Sequence, residues 1–476
     1  MNYKYVLKNS LFILATGFII SFSNFIFSPI YISKLGNDNF GILSLIISIS
    51  FMFTTLFSIN NVALIVRYSD ISNPKKKKDF IGTAFILQLI FLALIISIVL
   101  ISQGSVINVF FDKIKYDTFL KYALLIGSIN SLQSIPLGYY WGNKLFLKYR
   151  MIPIMGFVLN FIFLYIFLYA YDGGIYDAIN AIICSSLLMG VFSIYKFFNI
   201  SRFIFNISFA KIIIRFSSPI LIYSILGLLI DIVIRQKIEN FLSLDQLGLY
   251  SIIFLISTVP IIILNSLNNV WLPVIYTNSL KKNIVKLFND YIYLSIRVLV
   301  IISVSVCLYS KEVLLFFFNE EYLNLNNASS VLIIMTIGNS LFSFLWTHLS
   351  NEMNYYKKTN GYLLTTLFSF AVTILFSSFF INKFNFIGVA FVSVISNFVV
   401  CLSAYIILSL SAGVKGSYFK SVLFYVICIF SVSIFMYTLG DYAENILIKI
   451  FFNILILAYI LTRIYTYFQN EKLTFK

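Results

Sequence analysis

The amino-acid sequence predicts an all-α polytopic membrane protein with about fourteen transmembrane helices, and three observations predict it. Of the 476 residues, 60% are hydrophobic and only 11% are charged, a composition that a water-exposed surface cannot carry. The apolar runs extend beyond the roughly 18 residues that a helix needs to cross the hydrocarbon core, and none shows the alternating, about ten-residue pattern of a membrane barrel. Finally, the charges are segregated: most of the 34 lysines and arginines fall in every second connection, and the acids gather in the others.

The elements follow in chain order. MNYKYVLKNS is a basic flank to a first span at 10–33, which is too long for a signal-peptide core and has no small-residue cleavage site, so it is expected to be retained. A second span occupies 40–66. NPKKKKD (73–79) precedes the third, at 80–102, and reads as a topology anchor facing anionic lipid rather than as a nucleic-acid site. Spans at 119–141, 151–171 and 175–198 follow, the last two separated by DGG. The seventh to twelfth lie at 211–235, 246–271, 288–310, 328–349, 359–381 and 386–409, and the last two at 418–439 and 444–467. Pro29, Pro136, Pro219 and Pro260 fall inside spans, where they bend helices.

With the N-terminus in the cytoplasm, Lys4, Lys8, Lys75 to Lys78, Arg202, Lys281, Lys282, Lys357 and Lys358 all lie inside, and an even span count returns the C-terminus to the same side. That arrangement fits a bacterial plasma membrane, multi-pass, with both termini cytoplasmic. It also accounts for the net charge of +16 without nucleic acid. No connection exceeds about 20 residues, so no soluble catalytic domain is attached. Cys184, Cys307, Cys401 and Cys428 lie in apolar segments with no C-x-x-C spacing, and read as small buried hydrophobes; no metal site or resident cofactor is expected. No G-x-x-x-x-G-K-[ST] loop occurs, so ATP does not drive the protein directly.

An internal repeat organises the chain. KLGNDNFGILSLIIS follows the first span and FLSLDQLGLYSIIFLIS the seventh; a constant offset pairs Leu35 with Leu242, Asp38 with Asp245, Gly41 with Gly248 and Ser44 with Ser251. DGGIYDAI before the sixth span and FNFIGVAFV before the twelfth form a second pair. The expected domains are a six-helix lobe at 1–206, a second at 207–412, and a two-helix hairpin with a cytoplasmic tail at 413–476. Both lobes start on the same side, as in parallel-repeat transporters.

Polar residues form stripes inside the apolar runs. On span seven, Ser217, Ser224, Gly227, Asp231 and Arg235 share one helical face; the offset carries them to Ser10, Gly17, Ile20, Asn24 and Ser28 on span one. Span eight adds Asn265, Asn268 and Asn269. Small and amide residues serve helix packing as readily as a cavity. Ionisable residues inside a span are costly and face polar interiors. For Asp231 and Arg235 two compatible roles stand open, an i,i+4 ion pair near the interface and the lining of a hydrated cavity. Arg297 and Arg215 join the cavity candidates, each with an interface-anchoring alternative. His348, the sole histidine, reads as a hydrogen-bonded structural residue.

The frame IDIVIRQKIENFLSLDQLGLYSII (230–253), with Asp231, Gly248, Tyr250 and Ser251, resembles the polysaccharide-biosynthesis transporters, the O-antigen flippases of the MATE-like exporter superfamily. LGNDNFGILS, with Leu35, Gly36, Phe40 and Gly41, resembles their first-lobe signature. The resemblance covers about residues 1 to 412, and the two extra C-terminal spans occur in only some members. It implies two six-helix bundles in a V plus the hairpin, with spans one, two, seven and eight lining the cleft. It further implies alternating-access flipping of an undecaprenyl-pyrophosphate-linked oligosaccharide, coupled to protons or sodium, with membrane lipids, a polysaccharide polymerase and chain-length machinery as partners. Arginine suits the pyrophosphate, and amide, hydroxyl and aromatic groups suit the sugar. The substrate-binding candidates are therefore Arg235, Asp231, Arg297, Arg215, Asn24, Asn265 and Asn269. A drug exporter or a peptidoglycan-precursor flippase of the same superfamily shares these features. A membrane glycosyltransferase or other enzyme is disfavoured, because Asp38 and His348 have no catalytic partners nearby in sequence.

Overall fold

A computed structural model of the chain describes residues 3–68, 71, 73–102, 117–143, 145–277, 284–318, 323, 327–356, 360–411, 418–439 and 446–471. Among the described residues every regular element is helical, and nine stretches are long and apolar enough to cross a membrane. Two of the nine are broken internally, so each holds two of the spans expected from hydropathy.

The first break lies in α1 (Tyr3–Ser58), at Gly36, whose φ of 75 and ψ of 169 leave the helical region. Glycine reaches that conformation without steric cost, which is why the LGN segment turns there. α2 (Asn61–Arg67) completes span two after Ile59 and Asn60, both at positive φ. α3 (Pro74–Ile101) begins earlier than the apolar run, because the Asn73 side chain accepts hydrogen bonds from the backbone N–H groups of Lys75 and Lys76 and Pro74 occupies the first turn. The lysine run is therefore the first turn of a helix rather than a loop. α4 (Asp117–Ser131) and α5 (Ser134–Gly142) make span four, broken just before Pro136. α6 (Phe146–Leu164) runs into a π-turn at Tyr165–Ala170 to make span five, and α7 (Ile175–Ile200) is span six.

α8 (Ile207–Phe241) is span seven, opened by an Asn206 cap on Ser208 and Phe209. α9 (Leu244–Ser257) and α10 (Val259–Thr277) share span eight, divided just before Pro260. α11 (Ile284–Leu308), the short α12 (Ser310–Leu315) and α13 (Ala328–Tyr355) follow. α14 (Asn360–Ser411) holds spans eleven and twelve, broken at Asn385 with φ 50. Asp172, in the turn before span six, has φ 49, so the two turns paired by the second sequence repeat both use an Asx residue in the left-handed region. At the first of these turns Lys34 lies 2.9 Å from Asp172 and holds its carboxyl below the usual range; that pairing is present at neutral pH and is lost as Asp172 protonates in acid. α15 (Tyr418–Leu439) and α16 (Ile446–Glu471) form the C-terminal pair.

The chain divides into two compact units, Met1–Ser251 with Tyr362–Asn385, and Ile252–Gly361 with Phe386–Lys476. In the first, Leu64, Ile65, Phe80, Phe85, Ile135, Phe197 and Ile213 form a buried aromatic and aliphatic core. Outward faces stay apolar, as at Val191, Tyr195 and Phe198 on α7, which suits a surface wetted by lipid. In the second unit, the C-terminal pair is fastened by polar contacts. Tyr418 donates to the buried Glu352, Lys449 pairs with Glu312, and Asn453 donates to Ser305 at 3.0 Å.

A helix broken inside a membrane must find new partners for its exposed polar atoms. Gln88, fully buried in the middle of α3, supplies them at two breaks. Its amide accepts from the Asn61 side chain at 2.8 Å, where span two is interrupted, and donates to the Ser131 carbonyl at 2.8 Å, where span four is interrupted. The Ser134 hydroxyl donates to the same Gln88 oxygen at 3.3 Å. Replacing Gln88 by Leu removes these bonds while keeping the volume; we expect a loss of about 1–2 kcal/mol, read as a lower unfolding temperature of the detergent-purified protein.

Candidate functional site

The two copies of the sequence repeat meet within the first unit. Gly41, on the second half of α1, and Gly248, on α9, bring their helix backbones into direct contact. A Cβ built on Gly41 would lie 2.4 Å from the Leu244 carbonyl oxygen, and one on Gly248 would lie 2.5 Å from the Asn37 carbonyl oxygen. Asn37 and Leu244 are related by the same offset as the glycines, so each copy presents the same residue pair to the other. The crossing is thus a local two-fold, and at neither position is there room for a side chain.

One turn further along, Ser44 and Ser251 face each other with their hydroxyl oxygens 2.7 Å apart, 207 positions apart in sequence. Ser44 gives its proton to the Gly41 carbonyl at 2.7 Å. Ser251 therefore supplies the shared proton, or gives it to Leu247 at 2.8 Å. Both oxygens keep lone pairs for a cation.

Arg235 takes that place. Its Nη1 donates to Ser251 at 2.8 Å and to Ser44 at 3.2 Å, and its Nε donates to Asp231 Oδ2 at 2.7 Å, one turn back on α8. Tyr250 completes the group: its hydroxyl donates to Asp231 Oδ1 at 3.3 Å, and its ring lies under the guanidinium, 5.2 Å from the centroid. Arg235 is only 5% exposed and Tyr250 is fully buried, whereas 22% of the Asp231 side chain remains accessible. A buried guanidinium is tolerable only when its donors are matched, and here a carboxylate, two hydroxyls and an aromatic face match it. The cation is thereby directed at the helix crossing. The same offset leads from Asp231 to Asn24 and from Arg235 to Ser28, so only the second copy carries charge at these positions.

The other sequence candidates are placed differently. Arg297 belongs to the second unit, where its guanidinium lies over Tyr293 at 3.2 Å and Phe424 at 4.8 Å, and its Nη1 donates to the Tyr293 carbonyl at 2.9 Å. Arg215 and Asn265 are exposed on their helices. The side chains of Asn24 and Asn269 lie outside the described residues. His348 is fully buried, its Nε2 2.9 Å from the Ser295 hydroxyl and its ring against Tyr291 and Phe344, in keeping with a structural role.

The second unit holds two further polar groups, one around Asn339, which the sequence does not single out, and one around Asn268, which belongs to the span-eight stripe but whose partners the sequence does not reveal. Asn339 donates to Ser257 at 3.1 Å and accepts from Asn397 at 2.9 Å, bridging α13, α9 and α14. Asn268 accepts from Tyr291 at 3.1 Å and from Asn351 at 2.8 Å. For Asn339 the signal available is an amide side chain inside an apolar run, which is too common to single it out.

The fold is that of a polytopic helical membrane protein, with nine described stretches long and apolar enough to cross a membrane. The architecture is similar to that of the lipid II flippase MurJ in an inward closed conformation, with a TM-score of 0.69 at 16% identity over 98% of this chain and 99% of the other. It is likewise similar to a multidrug resistance MATE family transporter of the MOP superfamily in an inward-facing conformation, with a TM-score of 0.67 at 15% identity over 88% of this chain and 95% of the other. No curated protein matches the sequence. The profile of the family described as polysaccharide biosynthesis protein matches residues 6–279, more than half the chain, and the chain belongs to that family.

The crossing makes a direct prediction. Gly41→Leu or Gly248→Leu must push the α1 and α9 backbones apart and should destabilise the protein by more than about 1 kcal/mol, whereas Gly36→Ala, where no atom lies within 4 Å, should cost stability through its positive φ alone. Unfolding temperatures of the detergent-purified variants, measured side by side, distinguish the two.

Proposed function

We propose that the chain flips undecaprenyl-pyrophosphate-linked oligosaccharide repeat units, the precursors of O-antigen, capsule or exopolysaccharide, from the inner to the outer leaflet of a bacterial plasma membrane. It is a transporter and not an enzyme, works by alternating access between lobes at 1–206 and 207–412, and is driven by a proton or sodium gradient. The supporting observation is the clasped crossing of the two repeats, together with family membership over residues that include both copies. Two helices in backbone contact at a pseudo-two-fold close a path through the membrane at that level. They hold by a small number of hydrogen bonds that separate as a group.

Within this reading Arg235 and Asp231 are positioning residues. The guanidinium closes the crossing by bonding across it to Ser44, and Asp231 with Tyr250 keeps it aimed there. The substrate's pyrophosphate is left to other cations of the cavity, among which Arg215 is exposed. Opening the crossing breaks the Nη1 bond to Ser44 and the Ser–Ser contact, while the Nη1 bond to Ser251 stays within the second copy; two such hydrogen bonds cost a few kcal/mol, which lies within reach of an ion gradient.

Two experiments test this. In a deletion strain, surface glycan should disappear and lipid-linked repeat units should accumulate on the inner leaflet; normal surface glycan removes the proposal. For the clasp, the double variant Ser44→Ala with Ser251→Ala leaves every charge in place and removes the two hydroxyls that join the copies and accept from Arg235. Its export should fall severalfold and a cysteine placed at Asn37 should become more reactive to a membrane-impermeant thiol reagent. Unchanged export and reactivity would overturn the clasp.

A further inference from the structure

The residues joining α7 to α8 form an extended strap laid along the start of α3. The Arg202 N–H donates to the Lys78 carbonyl at 3.4 Å, the Asn206 N–H donates to the Thr83 hydroxyl at 3.1 Å, and that hydroxyl lies 3.2 Å from the Ile204 carbonyl oxygen. The fit is so close that a Cβ on Gly82 would lie 1.7 Å from the Arg202 carbonyl oxygen, so no other residue is accommodated there. Beneath the strap, Phe85 stacks on Phe197 at 4.0 Å and Phe80 meets Phe209 edge-on at 5.5 Å, forming a firm floor.

A backbone fixed in this way dictates where the strap's side chains go. Arg202, Phe203 and Phe205 all face outward, with Phe203 60% exposed. Lys75, Lys76 and Lys78, on the first turn of α3, are exposed beside them. Lys77 turns the other way, donating to Asn143 at 2.7 Å and approaching the Tyr139 ring at 5.9 Å, which brings the exposed Trp141 to the same end of the unit. Two exposed phenylalanines on a rigid strap are unfavourable in water, and four cations are unfavourable in hydrocarbon. Only the headgroup level of a bilayer satisfies both, and tryptophan favours that level as well.

We propose that the strap and the lysine turn of α3 form a binding surface for anionic phospholipid. Lys75, Lys76, Lys78 and Arg202 hold headgroup phosphates, and Phe203 and Phe205 sink into the boundary with the acyl chains. Charge complementarity selects the anionic headgroup, since four cations face outward here and the only acid of the α3 turn, Asp79, is half-buried. The strap thereby fixes the start of α8 at a constant depth in the membrane, and α8 is the helix that carries Arg235.

Native mass spectrometry of the full-length protein, released from vesicles of equal phosphatidylglycerol and phosphatidylcholine with identical acyl chains, tests the surface. The wild type should retain phosphatidylglycerol at least about threefold over phosphatidylcholine. The variant K75Q/K76Q/K78Q/R202Q should lose that preference, whereas K420Q/R463Q, which removes exposed cations of the second unit, should keep it. In vesicles of the same headgroup composition made with lipids brominated at a defined chain position, F203W should add emission that bromine near the headgroup quenches more than bromine at the chain end. Absence of a preference in the wild type, its survival in the quadruple variant, or an added emission indifferent to bromine position overturns the proposal. Should the quadruple variant fail to insert, the wild-type preference and the F203W quenching decide the matter.

Discussion

A polar atom buried in hydrocarbon has no water to fall back on, and this constraint shapes the structure more than any other. The outward faces of the helices need only be apolar, and a chain that is 60% hydrophobic meets that demand without fine adjustment. Every departure from a straight helix is more demanding, because it frees backbone groups that must be paired inside the protein. Span two is broken at Ile59 and Asn60 and span four just before Pro136; one side chain, Gln88, binds the Asn61 side chain beside the first break and the Ser131 backbone carbonyl at the second. A single amide with two donors and a two-lone-pair oxygen is suited to bridge such a pair of defects. The helices are thereby locked to one another at the points where each alone is weakest.

The same constraint explains how charge enters the membrane-deep region. A guanidinium at 5% exposure cannot rely on solvent, so its environment must be built around it. Asp231 supplies the counter-charge from one turn away, Tyr250 supplies both a donor to Asp231 and an aromatic face, and two serines from different repeats supply oxygen acceptors. The serines can do so only because Gly41 and Gly248 let the helices touch. Glycine contact, serine pair and arginine form a sequence of dependencies, in which each is possible because the preceding one brings the backbones near enough.

Much of this was legible in the sequence. The apolar runs locate the helices, and the pairing of Gly41 with Gly248 and of Ser44 with Ser251 is visible in the sequence as a constant offset. Glycine and serine in register signal close packing, and the signal survives because nothing else fits. The direction of Arg235 was not legible. Residues at i and i+4 on an apolar helix suggest an ion pair, as found, but the second and third partners of the guanidinium lie on other helices, and spacing carries no information about those. The start of α3 was misjudged for a related reason: hydropathy places a helix end where lipid begins, whereas Asn73 and Pro74 start the helix a turn earlier, in the polar region. Gln88 was missed because one amide in an apolar run resembles many others, and its importance comes from two breaks that hydropathy does not resolve.

The asymmetry between the repeats has a physical reading. A perfect two-fold at the crossing would place an arginine from each copy beside the same serine pair, and two guanidinium groups within a few ångströms in a low dielectric repel strongly. One copy must therefore surrender its cation. Here it is the first, whose corresponding positions are Asn24 and Ser28, with Ser28 buried. The surviving arginine then stands on one side of the crossing and draws acceptors from both. A symmetric glycine contact sets how near the two helices come, and an asymmetric charge sets how firmly they hold. The two properties are carried by different residues, so the strength of the contact can change through Asp231, Arg235 and Tyr250 without altering the fit of Gly41 against Gly248.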